Sequence, residues 1–227
     1  MLTPAALADA LQTRTLQDIP PLPGRRNHLR AGVLVPLVWR RDDPVVLATL
    51  RSAALREHAG EVAFPGGKRA PEDRDFSETA LREAHEEIGL RPDEAEILGP
   101  LSAIPLYTSD YRLMPFVAAV PDRAYVPQPG EVDRILELDL AAVFGAEALD
   151  GVPWSFQGRT HMSPVFDFDG ALMYGGTAHS LHELLQVMAA AMDRPLPPWR
   201  AGRFAWSGRG VVRADAEGGV LPELGEP

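Results

Sequence analysis

Three glutamates on one face of a short helix constrain this chain more than any other feature. Residues 75–88 carry both end signals of a helix. Asp75 can cap it, with Glu78 three residues on in a capping-box pattern, and Gly89 stands where a helix C-terminus takes a left-handed residue. At about 100° per residue, Ala80, Leu81, Ala84 and Ile88 share one arc, which must pack on an apolar surface. Glu83, Glu86 and Glu87 share a neighbouring arc about 100° wide. At spacings of three and four they repel by roughly 0.2–0.5 kcal/mol per pair on a solvated helix. Arg82 relieves part of this, with Glu78 four residues before it and Glu86 four after. Glu86 and Glu87 also lie in the last turn, where the helix dipole disfavours negative charge. A solvated acidic face is one way to tolerate the pattern. A hard divalent cation is another, since Mg2+ takes carboxylate oxygens, keeps waters and is completed by substrate phosphates.

The surrounding pattern predicts an α+β fold, an α/β/α sandwich around a mixed β-sheet. Ala31 to Trp39 reads as a buried strand. The turn Arg41-Asp42-Asp43-Pro44 joins it to Val45–Leu50 as a hairpin. A short strand over 61–64 ends at Pro65-Gly66-Gly67, and such a glycine pair lets backbone approach a ligand closely. Further strand-like runs lie at 96–104, 111–120 and 134–140. A weak helical pattern over 5–13 is broken by Pro20, Pro21 and Pro23. A second good helix spans 177–192, with Leu181, Leu184, Leu185, Met188 and Met192 at core-facing spacing. We divide the chain into a lead segment, 1–30, a main domain, 31–193, and a tail, 194–227. The tail has 5 Pro and 6 Gly in 34 residues and is expected to hold little regular structure, although Trp199, Phe204 and Trp206 could pin it to the body.

Composition excludes several classes. The formal net charge of −10 opposes general binding of nucleic acid or anionic membrane, because polyanion affinity comes mainly from Lys and Arg. A phosphorylated small molecule remains possible if a cation reverses the local field. The absence of cysteine rules out disulfides, thiolate metal sites and a Cys nucleophile. No apolar run approaches a membrane span, and Asp9 appears too early for a signal peptide, so a cytoplasmic location is expected.

The segment Arg82-Glu83-Ala84-His85-Glu86-Glu87-Ile88-Gly89-Leu90 resembles the R-E-U-x-E-E-x-G-U core of the Nudix box, where U is aliphatic. The box runs over about 67–90, with Gly67 as its opening glycine. The usual spacing, G-x5-E-x7-R, is exceeded by one residue between turn and helix. Asp73 or Glu72 could then serve as the first acid, which in the family pairs with the box arginine. The resemblance implies hydrolysis of a nucleoside diphosphate linked to another moiety, with Mg2+ or Mn2+. It implies Glu83 and Glu87 as primary metal ligands, Glu86 as third ligand or general base, the Gly67 carbonyl as a further ligand, and Arg82 as an orienting residue. Glu131, in a loop where family members often supply one more acid, is an alternative base.

A second pattern lies upstream. Leu47-Ala48-Thr49-Leu50-Arg51-Ser52, Arg56, Gly60 and Phe64-Pro65-Gly66-Gly67 resemble the motif of the Nudix subfamily that cleaves coenzyme A, with Ala48 as the single departure. The two motifs cover about a fifth of the chain. Residues 51–69 carry four bases (Arg51, Arg56, Lys68, Arg69) against two acids, whereas residues 70–87 carry seven acids and two bases. A cationic strip beside an acidic helix suits a polyphosphate substrate. We expect Arg51, Arg56, Lys68, Arg69 and Gly66 to bind substrate of the coenzyme A class, giving 3′,5′-ADP and 4′-phosphopantetheine. Other readings are a Nudix hydrolase of ADP-ribose, NADH or a dinucleoside polyphosphate, a catalytically silent Nudix-fold binding protein, and an acidic interaction domain. His58, His85, His161, His179 and His182 are not needed for the chemistry. Oligomeric state is not readable from the sequence.

Overall fold

The computed structural model describes residues 2–40, 43–156, 158–207 and 210–214. Residues 41–42 of the expected turn, and the tail beyond 214, lie outside them. Among the described residues there are four α-helices: α1 (Pro4–Thr13), α2 (Phe76–Ile88), α3 (Leu140–Gly145) and α4 (Gly175–Ala191). Among the described residues, eight strands build the central sheet. They are β1 (Leu29–Arg40), β2 (Asp43–Arg51), β3 (Val62–Ala63), β4 (Gly66–Lys68), β5 (Glu96–Pro100), β6 (Ile104–Pro105), β7 (Tyr111–Val120) and β8 (Val132–Asp139).

β1 is the axis of the sheet. It runs parallel to β7 on one edge and antiparallel to β2 and β4 on the other. Residues 32–38 are all buried, because side chains that alternate between two faces find a packed layer on each. Val33, Val35 and Leu37 join Leu7 and Leu11 of α1 and Leu181, Leu184 and Leu185 of α4. Leu34 and Val38 join Ala80, Ala84 and Ile88 of α2. The expected sandwich around a mixed sheet is present. Glycine sets the α2 layer close to the sheet. A Cβ at Gly32 would lie 2.3 Å from the Phe76 carbonyl oxygen and 2.8 Å from Thr79 Cβ.

The run 96–104 is split between β5 and β6 at Ser102. The Ser102 amide, 3.0 Å from Glu183 Oε2, and its hydroxyl both donate to the buried Glu183 carboxylate of α4 instead of to a strand partner. Arg14, 2.7 Å away, supplies the counter-charge. His179 and His182, also on α4, pack against Ser163 and Trp199.

The C-terminal third holds more regular structure than expected. β9 (Leu149–Phe156) and β10 (Arg159–Pro164) form a hairpin, followed by the pair β11 (Phe166–Phe168) and β12 (Ala171–Met173). β13 (Trp199–Arg200) lies parallel to β9, and β14 (Phe204–Ser207) pairs with β15 (Gly210–Arg213). Residues 199–213 are therefore not an unstructured tail. Phe204, one of the aromatics expected to pin this segment, and Val211 bury against Val152 and Val165, with Trp206 packed beside them. Among the described residues no helix is long and apolar enough to cross a membrane.

Gly32→Ala is expected to lower stability by about 1–3 kcal/mol, because the obstacle is helix backbone that cannot rotate aside. Urea unfolding of the two proteins measures it.

Candidate active site

Local signals place α2 as expected. The Asp75 carboxylate accepts the amides of Ser77 at 2.9 Å and Glu78 at 3.0 Å. Gly89 closes the helix at φ +68°. The capping box differs in one respect. Glu78 reaches back to the amide of Arg74 at 2.7 Å rather than that of Asp75, because it also pairs with the Arg74 guanidinium.

Before the helix, the extra residue of the box is absorbed in a loop that folds Asp73 under α2. Asp73 is buried, whereas Glu72 is exposed. Its carboxylate accepts the Ala70 amide and the Thr79 hydroxyl, each at 2.9 Å, and faces Arg82 Nε at 3.1 Å. Asp73, not Glu72, is thus the acid paired with the box arginine. Arg82 holds its carboxyl down at about 2. Thr79 was missed in the sequence because a buried threonine mid-helix leaves no local signature.

Arg82 is the hub. Beyond Asp73, its Nη2 lies 2.9 Å from Glu83 Oε1 and 2.9 Å from the Lys68 carbonyl, and its Nη1 lies 3.1 Å from Glu86 Oε2. Glu83 sits against Gly67, where a Cβ would come within 2.4 Å of the carboxylate. Burial raises the Glu83 carboxyl pKa and Arg82 opposes the shift.

The three glutamates of the acidic arc have different surroundings. Glu86 is half exposed, with its side chain at 52%, and leans on Arg82. Glu87 is buried, at 5%, and its Oε2 has no hydrogen-bond partner among the described residues. Burial pushes its carboxyl up to about 8. Arg51 and the Gly66 amide oppose the shift, while Glu83 and Glu131 add to it. Arg51 Nη1 stands 4.0 Å from Glu87 Oε1, and the buried Arg51 Nε is also without a partner.

Glu131 is brought in by backbone. The loop before it caps the C-terminal carbonyls of α2, with the Val126 amide on Ile88 O at 3.2 Å and the Gln128 amide on Glu87 O at 2.8 Å. The Ser52 amide then donates to Glu131 O at 2.8 Å, tying this loop to the end of β2. Glu131 is exposed, and its charge reaches both Glu83 and Glu87.

The expected substrate residues divide. Arg51 faces the acidic site. Arg56 is exposed, without an ion-pair partner among the described residues. Lys68, next to Gly67, rests its ammonium 5.5 Å from the centre of the Tyr111 ring. Gly66 lies so close to β1 that a Cβ would sit 2.5 Å from Gly32 O. Arg69 departs from the expectation. Its guanidinium donates to the carbonyls of Asp73 at 2.9 Å and Arg74 at 2.8 Å and lies over Phe76, so it braces the loop instead of facing a ligand.

Two observations fit a hard cation: the unpartnered buried Oε2 of Glu87, and the glycine cradle that holds Glu83 beside bare backbone. No three acids or imidazoles among the described residues are gathered into a ready-made cage.

Comparison with known proteins places this geometry. The NUDIX domain model matches residues 28–156. An uncharacterised Nudix hydrolase NudL of Photorhabdus laumondii is 36% identical over 185 residues, covering 80% of this chain and 97% of that protein. One from Pectobacterium atrosepticum is 33% identical over 198 residues, covering 85% and 98%. One from Escherichia fergusonii is 36% identical over 163 residues, covering 71% and 84%.

Asp73→Asn is expected to destabilise the protein by about 1.5–3 kcal/mol at neutral pH, the usual worth of hydrogen bonds to a charged group. The folded pKa is depressed, so the wild-type advantage is present above the unfolded value near 4 and is lost as pH falls toward about 2. Denaturant melts from pH 7 down to pH 2 follow the convergence of the two proteins.

Proposed function

The chain belongs to the Nudix family, and from that premise we propose that it hydrolyses the pyrophosphate bond of coenzyme A or one of its derivatives. The observation that carries the reading is the meeting of the two motifs. Arg51, from the coenzyme A pattern, lies 4.0 Å from Glu87 of the box, and neither side chain is fully satisfied by protein. A buried carboxylate oxygen and a buried guanidinium nitrogen left unpaired at one place suit a cation on the first and a phosphate on the second.

In this reading Glu83 and Glu87 would hold Mg2+ or Mn2+, with the Gly67 carbonyl as a further oxygen ligand. When bound, the ion supplies electrophilic stabilisation of phosphoryl oxygens and acidifies water. Arg82, fully engaged by Asp73, Glu83 and Glu86, orients the carboxylates. Glu86 already accepts from Arg82, whereas the exposed Glu131 has no such partner among the described residues and is the better acceptor for the proton of the attacking water. Arg51 meets the diphosphate. Arg56 and Lys68 are the cations left for the 3′-phosphate that coenzyme A adds. Water adds across the P–O–P link, and the products are 3′,5′-ADP and 4′-phosphopantetheine.

The test is a hydrolysis panel of coenzyme A, ADP-ribose, NADH and diadenosine polyphosphate with Mg2+, Mn2+ or EDTA. Coenzyme A is expected to be cleaved best, only with metal, and Glu83→Gln and Glu87→Gln to lose orders of magnitude. Preference for another diphosphate would refute the coenzyme A assignment, and turnover in EDTA would refute the metal. Arg56→Ala is expected to raise KM about tenfold for coenzyme A, the loss of one charged contact, and to leave KM for 3′-dephospho-coenzyme A unchanged. Equal effects on both substrates would place Arg56 away from the 3′-phosphate.

A further inference from the structure

The connection from β7 to β8, residues 121–131, has neither helix nor strand among the described residues. It carries Glu131 and includes Pro121, Pro127 and Pro129. Proline has no amide to donate, so few backbone bonds can hold such a segment. Only Val126 and Gln128, described above, place amides on the last carbonyls of α2.

Arg123 adds a fastening at the same helix end. Its Nη2 donates to the carbonyl of Gly89, the residue that closes α2, at 2.9 Å. The same nitrogen donates to Glu94 Oε2 at 2.7 Å, and Nη1 donates to Ala124 O at 3.0 Å. Glu94 Oε2 also accepts the Arg91 amide at 3.2 Å, so the chain leaving α2 is held in the same knot. A cation at a helix C-terminus is favoured by the dipole. The guanidinium lies 4.5 Å from the centre of the Tyr125 ring. That ring packs on the α2 side of the sheet, and its hydroxyl donates to Pro121 O at 2.7 Å.

The fastening runs on to Glu131. Gln128, whose amide sits on Glu87 O, accepts the amides of Glu131 at 3.2 Å and Val132 at 3.0 Å. The Glu131 carbonyl takes the amide of Ser52, the residue after Arg51. Glu131 is thereby set between the backbone of Glu87 and the end of β2.

We propose that Arg123 is a positioning residue for proton transfer: by fastening residues 121–131 to the C-terminal end of α2, it fixes where Glu131 stands beside the acidic site. The proposal rests on the reading above, in which Glu131 accepts the proton of the attacking water. A proton acceptor must lie within hydrogen-bond reach, and a misplacement of about 1 Å can cost about a hundredfold in rate. The Arg123 hydrogen bonds go to Gly89, Ala124 and Glu94, not to Glu83 or Glu87. Its loss should therefore lower kcat and leave KM and metal binding in place.

The experiment measures kcat and KM on coenzyme A with Mg2+, and Mn2+ affinity, for wild type, Arg123→Met, Glu131→Gln and the double variant. Methionine keeps an apolar stem over Tyr125 and removes every donor. Arg123→Met is expected to lower kcat about tenfold, with KM and Mn2+ affinity within about twofold of wild type. Glu131→Gln is expected to lower kcat about a hundredfold, and the double variant to match it within about threefold, because a misplaced base costs nothing once the base is gone. Should Arg123→Met not fold, Glu94→Ala, which removes one anchor of the guanidinium, takes its place in the same cycle. An unchanged kcat in Arg123→Met, the same fold loss with and without Glu131, or lost Mn2+ binding would overturn the proposal while Glu131 stands as the base. A wild-type kcat in Glu131→Gln would instead remove Glu131 as the base, and the proposal with it. If wild type prefers another diphosphate, the same cycle on that compound decides the role of Arg123.

Discussion

The carboxylate of Glu87 is buried with one oxygen unpaired among the described residues, and the rest of the site is arranged around that fact. An isolated buried charge is strongly unfavourable unless it is paired or holds a metal. Arg51 approaches without closing to hydrogen-bond distance. Glu83 and Glu131 add negative potential from two other directions. The protein thus concentrates carboxylates at the end of α2 and leaves the compensating charge to come from outside. Under the proposed function, burial that would be a defect in a structural helix is what a cation site requires.

Such a site must be held open against its own repulsion, and Arg82 does most of this. One guanidinium binds Asp73, Glu83, Glu86 and the Lys68 carbonyl. It cancels part of the negative field and aims Glu83 at Gly67. Asp73 in turn is locked by Thr79 and the Ala70 amide, so the loop before α2 and the helix form one rigid unit. Glycine at 32 and 67 lets that unit lie close on the sheet. The loop through Gln128 completes the arrangement by satisfying the last carbonyls of α2 and delivering Glu131.

Where a residue's role is decided by near neighbours, the sequence was readable. Asp75 and Gly89 bound α2, the continuous burial of 32–38 follows from an apolar run between two layers, and the Leu181–Leu184–Leu185–Met188 face packs as its spacing implies. The acidic arc was visible, but burial distinguishes Glu87 from Glu86, and burial depends on β4 and the 126–131 loop. Asp73 and Glu72 were equivalent until the loop was seen to fold back under Thr79. Arg69 looked like part of a cationic strip, but carbonyls four and five residues away take its donors. The C-terminal hairpin was hidden because Phe204 and Val211 find partners some fifty residues earlier, among glycines and prolines that locally suggest a tail.

The central claim is that the pocket of Glu83 and Glu87 is a cation site, and binding tests it without reference to any substrate. Metal-free protein would be titrated with Mn2+, with the free ion followed by electron paramagnetic resonance. The account predicts saturable binding in wild type that is lost in Glu87→Gln while the folded state, checked by circular dichroism, is retained. Equal Mn2+ binding by wild type and Glu87→Gln would contradict it.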